Sequence, residues 1–389
     1  MSALAIVAKD WGAEVAGSDR ARSAYTELLE ADGVPVAIGH AAENVPPGWE
    51  VVASSAIAPD NPELAGGFRR RGELLAELVE LRPSIVVAGA HGKTTTAAMI
   101  AFALDRLGLD PAFLIGGTVS QLGGNARAGE GWLVAEGDES DRSLGLLRPR
   151  IAVVTNVELD HHATFASLAE VEALFEGWLA SLGSGAAIVR GEDVEPPPGL
   201  ELAVPGEHNR RNAACAIAAL DAAGVAPEDS ARVLAKFRGA GRRLEAKGAK
   251  GGVRVYDDYG HHPTEVAATL AAARSLAGGG RVVVLFQPHL FSRTRHLAHE
   301  LAVALADADA SYVTDVYAAR EEPLPGVTGK LVVDRLTELR PGMPVGWAPR
   351  LEDAAALVAA QARPGDLVLT VGAGDVDRAA PLIFERIAG

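Results

Sequence analysis

The sequence predicts an α/β protein built from more than one parallel-sheet domain, and three observations carry that prediction. Short apolar, β-rich runs alternate with Ala- and Leu-rich helical stretches along almost the whole chain, the pattern of parallel sheets joined by crossover helices. One buried strand runs straight into a glycine turn and a helix start at Ser84–Thr96. With 389 residues, and about 100–200 residues per domain, there is room for two to four hydrophobic cores.

Composition narrows the function classes. The formal net charge is −15, against a protein that works by neutralising a nucleic-acid backbone, and no basic stripe or nucleic-acid module is recognisable. Apolar residues make up 48% and charged residues 22%, ordinary globular usage, and no apolar run approaches the roughly 20 residues of a membrane span. The single cysteine, Cys215, cannot form an internal disulfide, and the N-terminus lacks a secretory signal, so the expected location is the cytoplasm.

Taken in order, Leu4–Lys9 reads as a helix and Glu14–Ser18 as a strand. A nucleotide-binding α/β unit normally opens with a strand and a glycine-rich turn, so the first block, residues 1–82, is expected to lack both. The rhythm restarts near Arg82–Ser84 and again near Arg238–Gly241, which gives a second block over 83–239 and a third over 240–389. In the second block, Ser84–Ala88 reads as a strand before a helix over Thr94–Leu107. Leu133–Glu136 and Ile151–Thr155 read as two more strands, and Glu195-Pro-Pro-Pro-Gly199 as an exposed connector. In the third, Arg281–Phe286 reads as a strand before a helix over His296–Ala306.

The glycine turn carries the first chemistry. Gly89 and Gly92 let backbone N–H groups face an anion, and the helix N-terminus adds partial positive charge. Lys93 can reach the β- and γ-phosphates of a nucleotide, and Thr94 can hold Mg²⁺. Val87 stands where the longer Walker pattern has glycine, so the match is to Gly-x-x-Gly-Lys-Thr. The bland alternative is an ordinary strand-to-helix turn with a solvated lysine.

Two strand ends add acidic and histidine groups. Glu136 ends one strand and opens Glu136-Gly-Asp-Glu-Ser-Asp141, and the other strand leads into Asn156-Val-Glu-Leu-Asp-His161. Catalytic α/β sites gather at the carboxyl ends of strands, so Glu136 and His161 are candidates to coordinate one or two Mg²⁺ ions on ATP, with imidazole an unusual ligand for that ion. Alternatively, Asp138, Asp141 and Asp160 cap helices and His161 is a surface residue.

The chain resembles the Mur ligase family. The resemblance rests on Gly17-Ser-Asp19, Ser54-Ser-Ala-Ile57 with Asp60-Asn-Pro62, Gly89–Thr96, Glu136–Asp141, Thr155–His161 and Pro205-Gly-Glu-His-Asn-Arg-Arg-Asn-Ala213. It rests further on Arg242-Arg243, Tyr256-Asp-Asp-Tyr-Gly-His-His-Pro-Thr-Glu265 and Phe286-Gln-Pro-His-Leu-Phe-Ser-Arg-Thr-Arg295. The last two are the most discriminating. Within the family, Asp138-Glu-Ser-Asp141 is similar to the run in members that add L-alanine, where tripeptide-recycling members usually carry tyrosine at the place of Ser140.

The resemblance implies three domains: a truncated Rossmann-like domain for a UDP sugar, a central phosphate-loop ATPase domain, and a C-terminal Rossmann-like domain for the amino acid. It implies an ATP-dependent ligation in which the lactyl carboxylate of UDP-N-acetylmuramate takes the γ-phosphate of ATP, and the amine of L-alanine then displaces phosphate from the acyl phosphate. By motif, Gly89, His91, Gly92, Lys93, Thr94 and Thr95 would hold the phosphates. Thr94, Glu136 and His161 would hold metal, and His208, Asn209 and Asn212 would lie on the adenine side. Arg243 and Asp258 would reach ATP phosphate and ribose, which couples domain closure to catalysis, with Lys93, Glu136, His161 and Arg243 carrying the chemistry. Ser18, Asp19, Ser54 and Ser55 would serve the UDP sugar. Tyr259, His261, His262, Arg293 and Arg295 would form the amino-acid pocket, an arginine pairing with the L-alanine carboxylate.

For His261-His262-Pro263 the competing reading is a turn before a helix helped by Thr264 or Glu265, and for Arg293 and Arg295 a solvated basic face. The chain is shorter than the family pattern between Ile188–Arg190 and Pro205, and slightly so around Gly66–Arg71. A tripeptide-recycling ligase, or a catalytically weak ATP-binding relative, therefore competes with an active L-alanine ligase. The expected oligomeric state is a monomer or weak homodimer.

Overall fold

The computed structural model describes residues 1–162, 164–319 and 321–387. The chain divides into two compact units. The first comprises Met1–Leu159, Thr164–Ala203 and Arg211–Arg238, the second Asp160–Ala163, Val204–Arg210 and Gly239–Gly389.

The first unit opens with helix α1 (Ser2–Asp10), strand β1 (Gly17–Asp19), α2 (Ala24–Ala31), β2 (Val36–Ile38), β3 (Val52–Ala53), β4 (Arg69–Arg70) and α3 (Arg71–Leu81). Helix α1 falls where the apolar spacing of Leu4, Ile6 and Val7 places it, and these three are buried. The strand expected over Glu14–Ser18 starts later and is only three residues long, because its parallel partner β2 pairs with Gly17, Ser18 and Asp19 alone. β3 and β4 form a second short parallel pair.

The larger sheet of this unit is built from β5 (Ser84–Ala88), β6 (Ala112–Val119), β7 (Gly124–Arg127), β8 (Leu133–Glu136), β9 (Ile151–Val154) and β10 (Ala187–Arg190), in the order β10-β9-β5-β8-β6-β7. Only the β6/β7 pair is antiparallel. Helix α4 (Lys93–Arg106) follows β5 and is buried from Thr94 to Leu104, as expected of a helix whose apolar residues run round all its faces. Helices α5 (Leu168–Ala180), α6 (Glu207–Ala222) and α7 (Pro227–Leu234) follow in the chain, with Phe237 packed on Phe102 at 5.5 Å between centroids. The core gathers Leu4, Val7, Leu78, Val86, Leu133, Val154, Phe175 and Trp178.

Register positions the site. Val87 lies beside Glu136, and Ala88 beside Val154, so the Gly89 turn, Glu136 and Thr155 all leave the sheet at the same carboxyl edge.

The second unit contains β11 (Glu245–Lys250), β12 (Val253–Asp258), α8 (Pro263–Ala277), β13 (Val282–Phe286), α9 (Phe291–Leu305), β14 (Ala310–Val313), α10 (Lys330–Leu339), β15 (Val345–Trp347), α11 (Leu351–Gln361), β16 (Leu367–Val371) and α12 (Ala379–Arg386). The sheet runs β11-β12-β16-β13-β14-β15, parallel except for β11. Its central strand β13 sends Val282, Val284 and Phe286 into one core and Val283 and Leu285 into another, so helices cover both faces. Among the described residues no helix is long and apolar enough to cross a membrane.

Candidate active site

The phosphate loop has the backbone its glycines require. Gly89 has φ 132° and Gly92 φ 83°, both in the left-handed region, and α4 begins at the next residue, Lys93. The loop is tied down by the residues after β9. Thr155 Oγ1 donates to the carbonyls of Ala88 (3.2 Å) and His91 (2.6 Å). Asn156 accepts from His91 N–H and donates to His91 O, both at 2.9 Å, and His91 Nε2 lies 2.9 Å from Glu158 Oε2. Asn212, on α6, fills the space over Gly92, where a Cβ would collide with its Oδ1. Gly89, Gly92, Lys93 and Asn212 are thus brought together, and Thr95 lies buried on the first turn of α4.

Lys93 folds back into the loop. Its Nζ donates to Gly89 O at 2.5 Å and lies 3.0 Å from both carboxylate oxygens of Glu139. Burial alone would lower its pKa. The carboxylates of Glu139, Asp138 and Glu136 outweigh that, so the ammonium is held above its ordinary value and stays charged through neutral pH. Burial likewise pushes the Asp138 carboxyl up, but hydrogen bonds from Ser140 and the charge of Lys93 bring it below its usual range. Beside them, Thr94 Oγ1 donates to Glu136 Oε2 at 3.0 Å, and Gly116 N–H donates to Glu136 Oε1 at 2.5 Å. A threonine hydroxyl and a carboxylate at adjoining positions form the hard oxygen donor set that suits Mg²⁺.

Glu139 was not among the sequence-level candidates, although it stands inside the acidic run. What assigns it to Lys93 is the three-dimensional return of residue 139 to residue 93, which spacing does not show.

In the second unit, Asn209 Nδ2 donates to Pro205 O at 2.7 Å and helps fix the start of α6, with His208 beside Gly206. Burial, and then the charge of Arg243, lower the His208 pKa, so its ring is neutral at pH 7. Arg243 stands over the ring of Tyr259, 5.1 Å from its centroid, and 3.9 Å from Glu265 Oε1. Asp258 is buried and accepts from Leu244 N–H (2.7 Å), Gly260 N–H (2.8 Å) and Thr269 Oγ1 (3.0 Å). Burial outweighs these donors and pushes its pKa up to about 6.

His262 and Pro263 begin α8 in a capping box with Glu265, as the turn-before-helix reading expected. Tyr259, His261, His289 and Tyr317 form a row of rings with successive centroids 5.6, 5.7 and 5.8 Å apart. Burial lowers the His261 pKa to about 4, against the opposing charge of Glu265. The reading of Arg293 and Arg295 as one solvated basic face is overturned. They lie two positions apart on α9, so they point to different sides. Arg295 is exposed, whereas Arg293 is 3% exposed and pairs with Asp160 at 2.7 Å. Asp160 is therefore a buried ion-pair partner and not a helix cap.

His161 follows Asp160 with φ 55°, and its N–H donates to Asp160 Oδ1 at 2.6 Å. Burial would raise the Asp160 pKa, but Arg293, His161 and His261 hold it well below the usual carboxylate range.

At the end of β1, Ser18 Oγ donates to Glu63 Oε2 at 2.6 Å and lies 3.1 Å from His40 Nδ1. Glu63 also accepts from Asn44 Nδ2 at 2.7 Å. Glu63, His40 and Asn44 were missed because Glu63 comes from a turn about twenty residues beyond the segment after β2 that carries His40 and Asn44. Asp19 is exposed, and Ser54 caps the turn after β3 that carries exposed Ser55, accepting from Ala56 N–H at 3.3 Å.

Comparison with known proteins agrees with this geometry. Residues 1–79 match the Mur ligase family catalytic domain, 87–196 the Mur ligase middle domain, and 242–374 the Mur ligase glutamate ligase domain. UDP-N-acetylmuramate–L-alanine ligase of Streptomyces avermitilis is 42% identical over an alignment 444 positions long, covering 100% of this chain and 95% of that protein. The enzyme of the same name from Paenarthrobacter aurescens is 43% identical over 440, with the same coverage. The crystal structure of UDP-N-acetylmuramate-alanine ligase from Thermotoga maritima superposes with a TM-score of 0.85 at 27% identity, covering 99% of this chain and 96% of that one. A phosphate loop closed by its own lysine and acidic run, matches to all three family domains, and near-complete coverage of these relatives lead to one conclusion: the chain belongs to the Mur ligase family.

Proposed function

We propose that this chain is an ATP-dependent ligase that joins L-alanine to the lactyl carboxylate of UDP-N-acetylmuramate, releasing ADP and phosphate, in peptidoglycan synthesis. The observation that carries the reading is Lys93, Thr94 and Glu136 standing together at the carboxyl edge of one sheet, in a chain 42% identical over its whole length to enzymes of that name.

The chemistry has two steps. A carboxylate oxygen attacks the γ-phosphorus of ATP and the bond to the β,γ-bridging oxygen breaks, leaving ADP and an acyl phosphate. The neutral amine of L-alanine then attacks the acyl carbon, phosphate leaves with the electron pair of the C–O bond, and the amine loses a proton. The protein's task is positioning and charge stabilisation. Gly89, His91, Gly92, Thr94 and Thr95 cradle phosphates, and Lys93 exchanges its contact with Glu139 for phosphate oxygens. Mg²⁺ bound by Thr94 and Glu136 would offset charge on those oxygens, and His161 is the candidate for a second ion. His208, Asn209 and Asn212 serve the adenine side, and Arg243 and Asp258 the phosphate and ribose. Ser18, Asp19, Ser54 and Ser55 serve the UDP sugar, with Glu63 ordering Ser18. Tyr259, His261, His262 and Arg295 serve the amino acid. The three functional blocks are 1–82, 83–239 and 240–389.

The test is phosphate release from ATP with Mg²⁺, UDP-N-acetylmuramate and L-alanine, omitting each in turn. Release that needs all four supports the reading. Release that needs a tripeptide in place of L-alanine would identify a recycling ligase, and ATP binding without release would identify a non-catalytic relative.

A further inference from the structure

Arg293 is one of the two arginines expected in the amino-acid pocket, yet its guanidinium is already engaged. Nε donates to Asp160 Oδ1 at 3.0 Å, and Nη2 donates to Oδ1 at 2.7 Å and to Oδ2 at 3.0 Å. Nη1 lies 3.1 Å from His289 Nδ1. Arg293 is 3% exposed and Asp160 5%. A substrate carboxylate could take the Nε/Nη2 edge only by expelling Asp160 and leaving that charge buried without its cation, which is strongly unfavourable.

The same carboxylate holds His161. Asp160 Oδ1 accepts the His161 N–H at 2.6 Å, and Asp160 Oδ2 lies 3.8 Å from His161 Nε2, an ion-pair separation and not a hydrogen bond. His161 has φ 55°, a left-handed backbone that is uncommon for non-glycine residues. The Asp160 carboxylate is thus gripped on one side by a buried arginine, bonded to the backbone N–H of the next histidine, and at ion-pair distance from that histidine's Nε2, which makes it the charged group that links Arg293 to His161.

We propose that Arg293 and Asp160 are positioning residues for His161: Arg293 orients the Asp160 carboxylate, which orients the His161 imidazole toward a divalent cation, and the L-alanine carboxylate is bound by other groups. This rests on the ligase reading above and on His161 as a metal-binding residue. It separates two roles that sequence position merges, because Arg293 lies in the amino-acid segment but acts through a residue 133 positions away.

The experiment compares wild type with Arg293→Ala, Arg293→Lys, Asp160→Asn and the Asp160→Asn/Arg293→Gln pair. Four quantities are measured: Mn²⁺ affinity by electron paramagnetic resonance with a non-hydrolysable ATP analogue and no turnover, the Mg²⁺ needed for half-maximal phosphate release, KM for L-alanine, and the melting curve. Loss of an orienting partner behind a metal-binding histidine typically weakens metal affinity by about 10–100-fold. Arg293→Ala and Asp160→Asn are therefore each expected to weaken Mn²⁺ binding and raise the Mg²⁺ requirement about tenfold, with the pair no worse than either single variant. Arg293→Lys recovers part of the loss, and the KM for L-alanine stays nearly constant.

A large rise in alanine KM for Arg293→Ala, with metal affinity unchanged and Asp160→Asn silent, overturns the proposal and returns Arg293 to the amino-acid pocket. A lowered melting temperature with metal affinity and KM both unchanged also overturns it, reducing the pair to a structural ion pair. Wild-type protein that needs no L-alanine for turnover would instead overturn the ligase reading, a failure separable because Mn²⁺ binding is measured without turnover.

Discussion

The ammonium of Lys93 lies 3.0 Å from each carboxylate oxygen of Glu139, so the phosphate-loop lysine is held by an internal anion that is itself 3% exposed. On the proposed reading, replacing Lys93 by Ala removes both a phosphate-binding cation and the counter-ion of Glu139. Phosphate release is expected to fall by about 100-fold or more. The melting transition should drop by the equivalent of about 1–3 kcal/mol, because Glu139 loses its cation while Lys93 itself is only partly buried. Adding Glu139→Gln should restore much of the stability and none of the turnover. A single Lys93→Ala variant with normal phosphate release would remove Lys93 from the mechanism.

Gly89 makes a second prediction. At φ 132° an added Cβ collides with Thr155 Oγ1 and comes within 2.9 Å of Asn156 O and 3.0 Å of Asn156 N. Backbone atoms cannot swing aside as a side chain can. Strain of about 1–3 kcal/mol should weaken binding of a non-hydrolysable ATP analogue to Gly89→Ala by roughly 5–150-fold, read by isothermal titration calorimetry. Unchanged affinity would mean that the loop re-forms on nucleotide binding.

His261 should be a neutral imidazole at pH 7, since burial lowers its pKa to about 4 despite Glu265. The unfolded chain takes up that proton near pH 6.5 and the folded chain only near 4, so this residue's contribution to stability is lost as pH falls from 6.5 toward 4. Asp258, raised to about 6, has the opposite sign: its ionisation in the unfolded chain costs the folded state stability as pH rises from 3.8 to 6. The two partly cancel, so the test is the difference between wild type and His261→Asn, whose stability curve should fall less steeply over pH 6.5–4. A resonance that titrates near 6.5 in the folded wild type and is lost in His261→Asn would refute the assignment.

Glu63 organises Ser18, His40, Asn44 and the Ala41 N–H through its two oxygens. Burial pushes its carboxyl up, but hydrogen bonds from Ser18, Asn44 and Ala41 bring it below its usual range, so it is ionised at neutral pH. With Ser18 serving the UDP sugar as proposed, Glu63→Ala should raise KM for that substrate by about tenfold with kcat little changed, because it loosens Ser18 and leaves the reacting groups alone. A fall in kcat at constant KM would place the cluster nearer to the chemistry.

The local sequence by itself determined the alternation of strands and helices, the phosphate loop and its helix. Ser84–Ala88 and Leu133–Glu136 form strands at the residues their apolar runs mark, and the helix expected from Thr94 starts at Lys93. These are short-range properties: apolar runs, positive-φ glycines and a helix start lie within a few residues of one another. The partners of the charged groups were decided only by tertiary structure. Lys93 meets Glu139 across 46 residues, Ser18 meets Glu63 across 45, and Arg293 meets Asp160 across 133. An arginine in an amino-acid motif and an aspartate before a histidine carry the same letters whether each faces solvent, substrate or the other. The low-polarity interior makes that choice, since a charge removed from water must find an opposite charge wherever the fold brings one within reach.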